Sequence, residues 1–212
     1  MRKEKILKQK FKKWIRDIKT HQFAIFISII MFSIASVLNI FAGRYATRIG
    51  SAVADDLILD IFPPINLNFI FIWGMILIIA VVIVYVFLFR INKFHLYLSH
   101  FSLLMLARSF AMCLTHLKTP ADAIVVNWPS FLNIIAFQND LFFSGHVAFS
   151  FIGFLLFKDS KIKWFFLISS IIMAMTVLLM HVHYSIDVFS AYFITFGTYL
   201  LGERIFRKIY SN

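Results

Sequence analysis

The chain has 212 residues, 61% of them apolar and 27 of them Phe, with a mean hydropathy of +0.85. A soluble domain is nearer roughly 45–50% apolar, so the composition excludes a soluble globular protein and indicates a polytopic helical membrane protein. The formal charge of +11 raises nucleic acid as a partner, but the cations sit beside apolar runs, which argues for a membrane surface and no nucleic acid.

Residues 1–21 carry nine Lys/Arg against Glu4 and Asp17. Ile6, Leu7, Phe11, Trp14, Ile15 and Ile18 recur at three- and four-residue spacing. The pattern predicts a basic amphipathic helix lying on anionic lipids. The apolar run Phe23–Ala42 is long enough to span, and Ala52-Val53-Ala54 lies too far beyond it for a cleavage site. Further spans are expected over Phe69–Phe89, Phe94–Leu117, Leu141–Phe157, Trp164–Met180 and about Ser185–Leu201, six in all. Gly43 and Pro63-Pro64 punctuate the first long loop. Trp73, Trp128 and Trp164 fall near span ends, as an aromatic belt would place them. The lone Cys113 lies inside an apolar run and builds no disulfide framework. No repeat or linker is visible. The chain therefore divides into a basic segment, 1–21, and one six-helix membrane domain, 22–212.

With a cytoplasmic N-terminus, the inside segments hold 17 of the 21 Lys/Arg. The outside loops hold Arg44, Arg48 and Lys118. The positive-inside rule then places both termini in the cytoplasm. It also brings the ends of the fourth, fifth and sixth spans that carry Asp140, His146, His183 and Asp187 to one exoplasmic (periplasmic or lumenal) face.

Polar groups at such positions are functional candidates. His183 and Asp187 are four apart and share a face if a helix starts near His183. The carboxylate can fix one imidazole nitrogen and leave the other free as nucleophile or general base. Ser144 suits an N-cap for a helix from Gly145 to Phe157. That helix start, with Gly145, offers open N–H groups and a positive dipole end to a phosphate. His146 beside it suits a general acid for a leaving alcohol. Two histidines, one carboxylate and an anion cradle describe phosphoryl transfer through a phosphohistidine, with no metal or cofactor required. His181 and His183 are two apart, which faces a metal only on an extended strand. His181 reads as interfacial, with a substrate contact as the alternative, and His21, His95, His100 and His116 as structural or interfacial. Arg108, inside the third span, needs an anionic partner, either Asp140 or a lipid phosphate. The aromatic excess reads as lipid-facing packing.

Two stretches carry a family resemblance. Asp140 through Ser144-Gly145-His146 resembles the third motif of sphingomyelin synthases, C-G-D-x-x-F-S-G-H-T. His183-Tyr184-Ser185-Ile186-Asp187-Val188, with Ala191, Tyr192 and Thr195, resembles their fourth, H-Y-T-x-D-V-x-x-A-Y-x-x-T. The stretch from Arg108 through Thr115 to Leu117 and Pro120 is similar to their second, and Val53-Ala54-Asp55-Asp56 with Pro63-Pro64 is a faint echo of their first. Gln138, Asn139, Val147 and Ser185 depart from the pattern. The wider superfamily is that of type 2 phosphatidic acid phosphatases, which share both histidines and the Asp.

The resemblance implies a six-helix bundle of the phosphatidic-acid-phosphatase type. It implies an enzyme that moves a phosphocholine or phosphoethanolamine group from a glycerophospholipid donor to a ceramide-like or diacylglycerol acceptor. His183 would be the nucleophile, Asp187 its orienter and His146 the acid. Asp140, Ser144, Gly145, Arg108 and Tyr184 would line the substrate. The phosphatase branch adds K-x-x-x-x-x-x-R-P and an Arg six residues before the nucleophilic His. That position is Val177 here, which favours a singly charged phosphodiester over a monoester. A phospholipase C, a lipid phosphate phosphatase and a non-enzymatic scaffold or transporter are the rival readings. The sequence does not specify the oligomeric state.

Overall fold

The computed structural model describes residues 2–137, 139 and 141–210. Asp140, expected to line the site, lies outside them. Seven α-helices run along the described chain: α1 Arg2–Thr20, α2 Gln22–Ile49, α3 Met75–Phe89, α4 Phe94–Leu114, α5 Gly145–Leu156, α6 Lys163–Leu179 and α7 Ser185–Tyr210. A π-helical turn, Ile70–Gly74, leads into α3. The described residues form no strand, only one isolated bridge between Ala52 and Leu117.

Three helical segments are long and apolar enough to cross a bilayer: Gln22–Ile49, Ile70–Phe89 and Ile91–Leu114. Among the described residues, α5 and α6 are shorter apolar helices. At 1.5 Å per residue, the 12 residues of α5 cover roughly 18 Å, well short of a hydrocarbon core of about 30 Å. The expected span starting at Leu141 is corrected: Leu141–Ser144 is an irregular approach, and the helix opens at Gly145. The third span ends three residues early because Thr115 is extended and the chain then pairs across to Ala52. Gly43 ends nothing. It lies inside α2, packed so closely by the Phe137 ring that a Cβ there would fall 2.4 Å from it.

The packing follows the small residues. The buried positions of α2 are Ser28, Ala35, Ala42, Gly43 and Ala46, a seam at about seven-residue spacing that lets its backbone approach α4. Asn39 Nδ2 donates to Ser109 Oγ across that seam at 3.3 Å. The other faces of α2 expose Phe26, Ile30, Ile34 and Phe41, as a lipid-facing helix does. α5 is the hub. Eight of its 12 residues are buried, and it touches α3, α4, α6 and α7. Such burial is possible only for a helix ringed by others. α1 docks at the opposite end of the bundle, where Trp14 Nε1 donates to the Phe87 carbonyl at 2.9 Å.

Gly153 shows how tightly the hub is filled. A Cβ there would meet the fully buried Phe166 ring at 2.6 Å, whereas one at Gly197 would meet nothing within 4 Å. Overpacking of this kind costs about 1–3 kcal/mol, and Gly→Ala at an unobstructed helical site gains up to about 1 kcal/mol. Thermal unfolding in detergent should therefore show Gly153→Ala below wild type and Gly197→Ala at or above it.

Candidate active site

The first turn of α7 is built around a carboxylate. Asp187 is fully buried, and a buried charge persists only where hydrogen bonds compensate it. Its Oδ2 accepts the Tyr184 amide at 3.0 Å and faces His183 Nδ1 at 3.3 Å. α7 starts at Ser185, so His183 precedes the helix and reaches Asp187 from its entry turn. With Nδ1–H given to the carboxylate, Nε2 carries the free lone pair. The pair expected from the four-residue spacing is thus present, and His183 is itself buried.

The start of α5 is fastened to the same residue. The Ser144 amide donates to the backbone carbonyl of Asp187 at 3.2 Å. Ser144 occupies the N-cap position but makes no side-chain cap bond. It anchors by its main chain instead, its carbonyl accepting the Ala148 amide at 3.1 Å. Its hydroxyl is buried with no hydrogen-bond partner among the described residues. A bound oxyanion could satisfy that hydroxyl together with the open amides of the first helical turn.

Arg108 comes in from α4, buried, and its Nε donates to the Phe143 carbonyl at 3.0 Å. A Cβ on residue 145 would lie 3.0 Å from that Nε, so Gly145 is what lets a guanidinium lie against the mouth of α5. His146 projects from the same turn. His183 and Arg108 both lie within electrostatic range of it, and its ring hydrogen-bonds the Phe71 backbone. Phe71 also stacks on the imidazole, ring centres 3.9 Å apart. Phe71 belongs to the π-helical turn before α3, a distortion that recurs at functional sites. The two histidines, the Arg, the Gly and the Ser expected to act together do meet.

Tyr184, expected as a substrate contact, braces the loops through its hydroxyl. Its hydroxyl donates to the Lys118 carbonyl at 2.9 Å and accepts the Ala54 amide at 3.2 Å. Both bonding capacities are spent on bracing two loops over the site. Asp56 was missed as a site residue, beyond a faint motif echo. Its Oδ2 accepts the Ser185 amide at 2.6 Å and its Oδ1 the Ile58 amide at 2.9 Å, so a loop residue caps α7 from a distance. Burial alone would push this carboxyl up, but hydrogen bonds from Ser185 and from the Ile58 and Leu59 amides outweigh it and hold the group below the ordinary carboxylate value.

His181, expected at the membrane interface, is buried within the protein, and its Nδ1 lies 2.8 Å from Asp122 Oδ2. It takes φ 55°, and its ring meets Phe62 in a T-shaped pair, ring centres 5.7 Å apart. No local signal announces either carboxylate, since Asp56 and Ser185 are 129 residues apart and Asp122 and His181 are 59 apart.

Searches of curated proteins and of solved structures find no match to this chain. A family model does match: PAP2 superfamily C-terminal, over residues 139–204. That segment opens at Asn139, spans α5 and α6, and holds Ser144, Gly145, His146, His183 and Asp187. The chain's histidine-bearing part is thus similar to the C-terminal part of the PAP2 superfamily, and this supports that superfamily as its kin.

Proposed function

We propose that this chain is an integral-membrane enzyme acting on lipid phosphate esters, a headgroup phosphotransferase of the sphingomyelin-synthase type. The observation that carries the reading is the buried His183–Asp187 pair, tied through Ser144 to the helix mouth that presents His146 and Arg108. A phosphodiester lipid places its phosphate at the N-terminus of α5, against the Ser144 hydroxyl and the Arg108 guanidinium. His183 Nε2 attacks phosphorus, and a P–N bond forms as the P–O bond to diacylglycerol breaks. Asp187 holds the Nδ1 proton and stabilises the charge that the ring acquires. A diacylglycerol alkoxide is a poor leaving group, so His146 donates the proton it needs. His146, now neutral, takes the proton of the acceptor hydroxyl. That oxygen then attacks the phosphohistidine and restores His183.

With ceramide or diacylglycerol as acceptor the outcome is transfer, and with water it is hydrolysis. Val177, where the phosphatase branch carries an Arg, is fully buried among apolar side chains. A second cation beside the nucleophile is therefore lacking at that position, which favours a singly charged diester over a doubly charged monoester. The charge distribution supports six crossings, with the site on the exoplasmic face and both termini in the cytoplasm. The basic face of α1 then lies on anionic lipids of the inner leaflet.

Incubation of purified protein with labelled phosphatidylcholine or phosphatidylethanolamine, with and without ceramide or diacylglycerol, should yield the transferred headgroup product. His183→Ala should abolish it, by about 10³-fold or more, and Asp187→Asn should lose nearly as much. His146→Ala should lose about 10²–10⁴-fold. Full turnover by His183→Ala would refute the mechanism, and activity on phosphatidic acid alone would make the protein a monoesterase. Asp56→Ala removes the cap of α7 and should cost about 1 kcal/mol of stability. Because the Asp56 pKa is lowered on folding, that contribution is present at neutral pH and fades only as pH falls through the folded pKa, below the ordinary range near 4. Unfolding scans of wild type and variant should therefore converge only in strong acid. A tag inserted after residue 130 should be labelled from outside intact cells or vesicles, and one after residue 160 only after permeabilisation; the reverse pattern would exclude an exoplasmic site.

A further inference from the structure

A second charged feature lies at the site end of the bundle and takes no part in the chemistry above. Arg44 and Arg48 are four residues apart near the C-terminal end of α2, hence on one helix face. They line a cavity of about 210 Å³ with Thr47, Asn133, Ala136 and Phe137. Among the described residues neither guanidinium makes an ion pair or a hydrogen bond. Apart from Lys118, they are the only cations in the loops and helix ends on the side where the positive-inside rule disfavours them. Two adjacent positive charges facing one hollow repel each other, and an anion between them relieves that repulsion. The planar donor fork of Arg suits the oxygens of a phosphate. The volume falls below the roughly 300–1,000 Å³ of pockets that enclose a drug-sized molecule, so a headgroup fits where a whole lipid does not.

We infer that this cavity is a phosphate-binding site beside the active centre, separate from the His183 cradle. Its ligand is a singly charged phosphodiester headgroup of an anionic lipid or a free inorganic phosphate. The wall of the cavity leads into the catalytic loop. The Phe137 ring packs on Gly43 of α2, and Asn139 Nδ2 donates to the Thr47 carbonyl at 3.4 Å while its Oδ1 accepts the Thr119 amide at 2.9 Å. An anion drawn in by α2 thus sits against the chain segment that continues into Ser144-Gly145-His146.

The test is phosphate stoichiometry of the full chain in neutral detergent, by native mass spectrometry and calorimetry. The probes are short-chain phosphatidylglycerol, inorganic phosphate and, as a zwitterionic control, short-chain phosphatidylcholine. Wild type should bind two phosphatidylglycerol molecules per chain, one in each site. Arg44→Gln/Arg48→Gln should bind one, with the second weakened about tenfold or more, as for lost charge-assisted hydrogen bonds. Lys118→Gln, a cation outside the cavity, should still bind two. One molecule on wild type and none on the double variant would support the cavity and count against the His183 cradle instead. Equal stoichiometry in wild type and the double variant would overturn the inference. Binding of inorganic phosphate with the same loss in the variant would identify the free anion as a sufficient ligand, and binding of phosphatidylglycerol alone would identify the lipid.

Discussion

The Asp187 carboxylate is the constraint on which the site depends. It is fully buried in a protein whose interior is mostly apolar, where an unpaired ion is untenable. Its Oδ2 is met by the Tyr184 amide and by His183, and its own carbonyl receives the Ser144 amide. One residue therefore does three things: it orders the entry turn of α7, fixes the tautomer of His183, and fastens the mouth of α5 to the mouth of α7. The distance between two histidines 37 positions apart in sequence is set by a main-chain hydrogen bond at Asp187. Moving that residue would disturb His183, His146 and the mouth of α5 together.

The shortness of α5 is the second element of this design. A helix of 12 residues that begins at Gly145 opens part-way into the bundle and leaves space above its N-terminus. Loops fill that space. The segment around Ala52 pairs with Leu117, Tyr184 bridges Ala54 to Lys118, Ile65 donates to the Leu179 carbonyl, and Ile124 donates to that of Met180. Irregular backbone at this depth is tolerated only where protein or a water-filled cavity surrounds it. These loops satisfy that condition by bonding to one another and to the helix ends. The loops close over the mouths of α5 and α7, where His183 and Asp187 are buried and hydrogen bonds and charges act more strongly than in water.

Much of this was legible in the sequence because it depends on local periodicity and charge. The helix sequence of the bundle, the common end for His146 and His183, and the His183–Asp187 pairing all follow from apolar runs, Lys/Arg placement and a four-residue spacing. Helix ends were less legible. The run Leu141–Phe157 is uniformly apolar, and nothing in its composition says that the first four residues leave the helix to reach Arg108 and Asp187. Gly43 looked like a terminator, yet in membrane helices glycine serves close packing as readily, and here it admits Phe137. Asp56, Asp122 and Phe71 were illegible for a different reason. Their partners are distant in sequence, and the role of each exists only once the loops close over the bundle.

The charges around the site also bear on the proposed substrate. Arg108 is the one cation built against the cradle among the described residues, held by Phe143 and admitted by Gly145. Val177, six residues before His183, lies in the apolar core and supplies no second cation. One guanidinium, a helix dipole and a few amides match one negative charge better than two. His146 strengthens this reading. Stacked on Phe71 and beside Arg108 and His183, the imidazole is positioned to exchange a proton with a group bound at the mouth of α5. For the proposed reaction, a phosphomonoester would set two anionic oxygens beside His146 against one fixed cation among the described residues, Arg108.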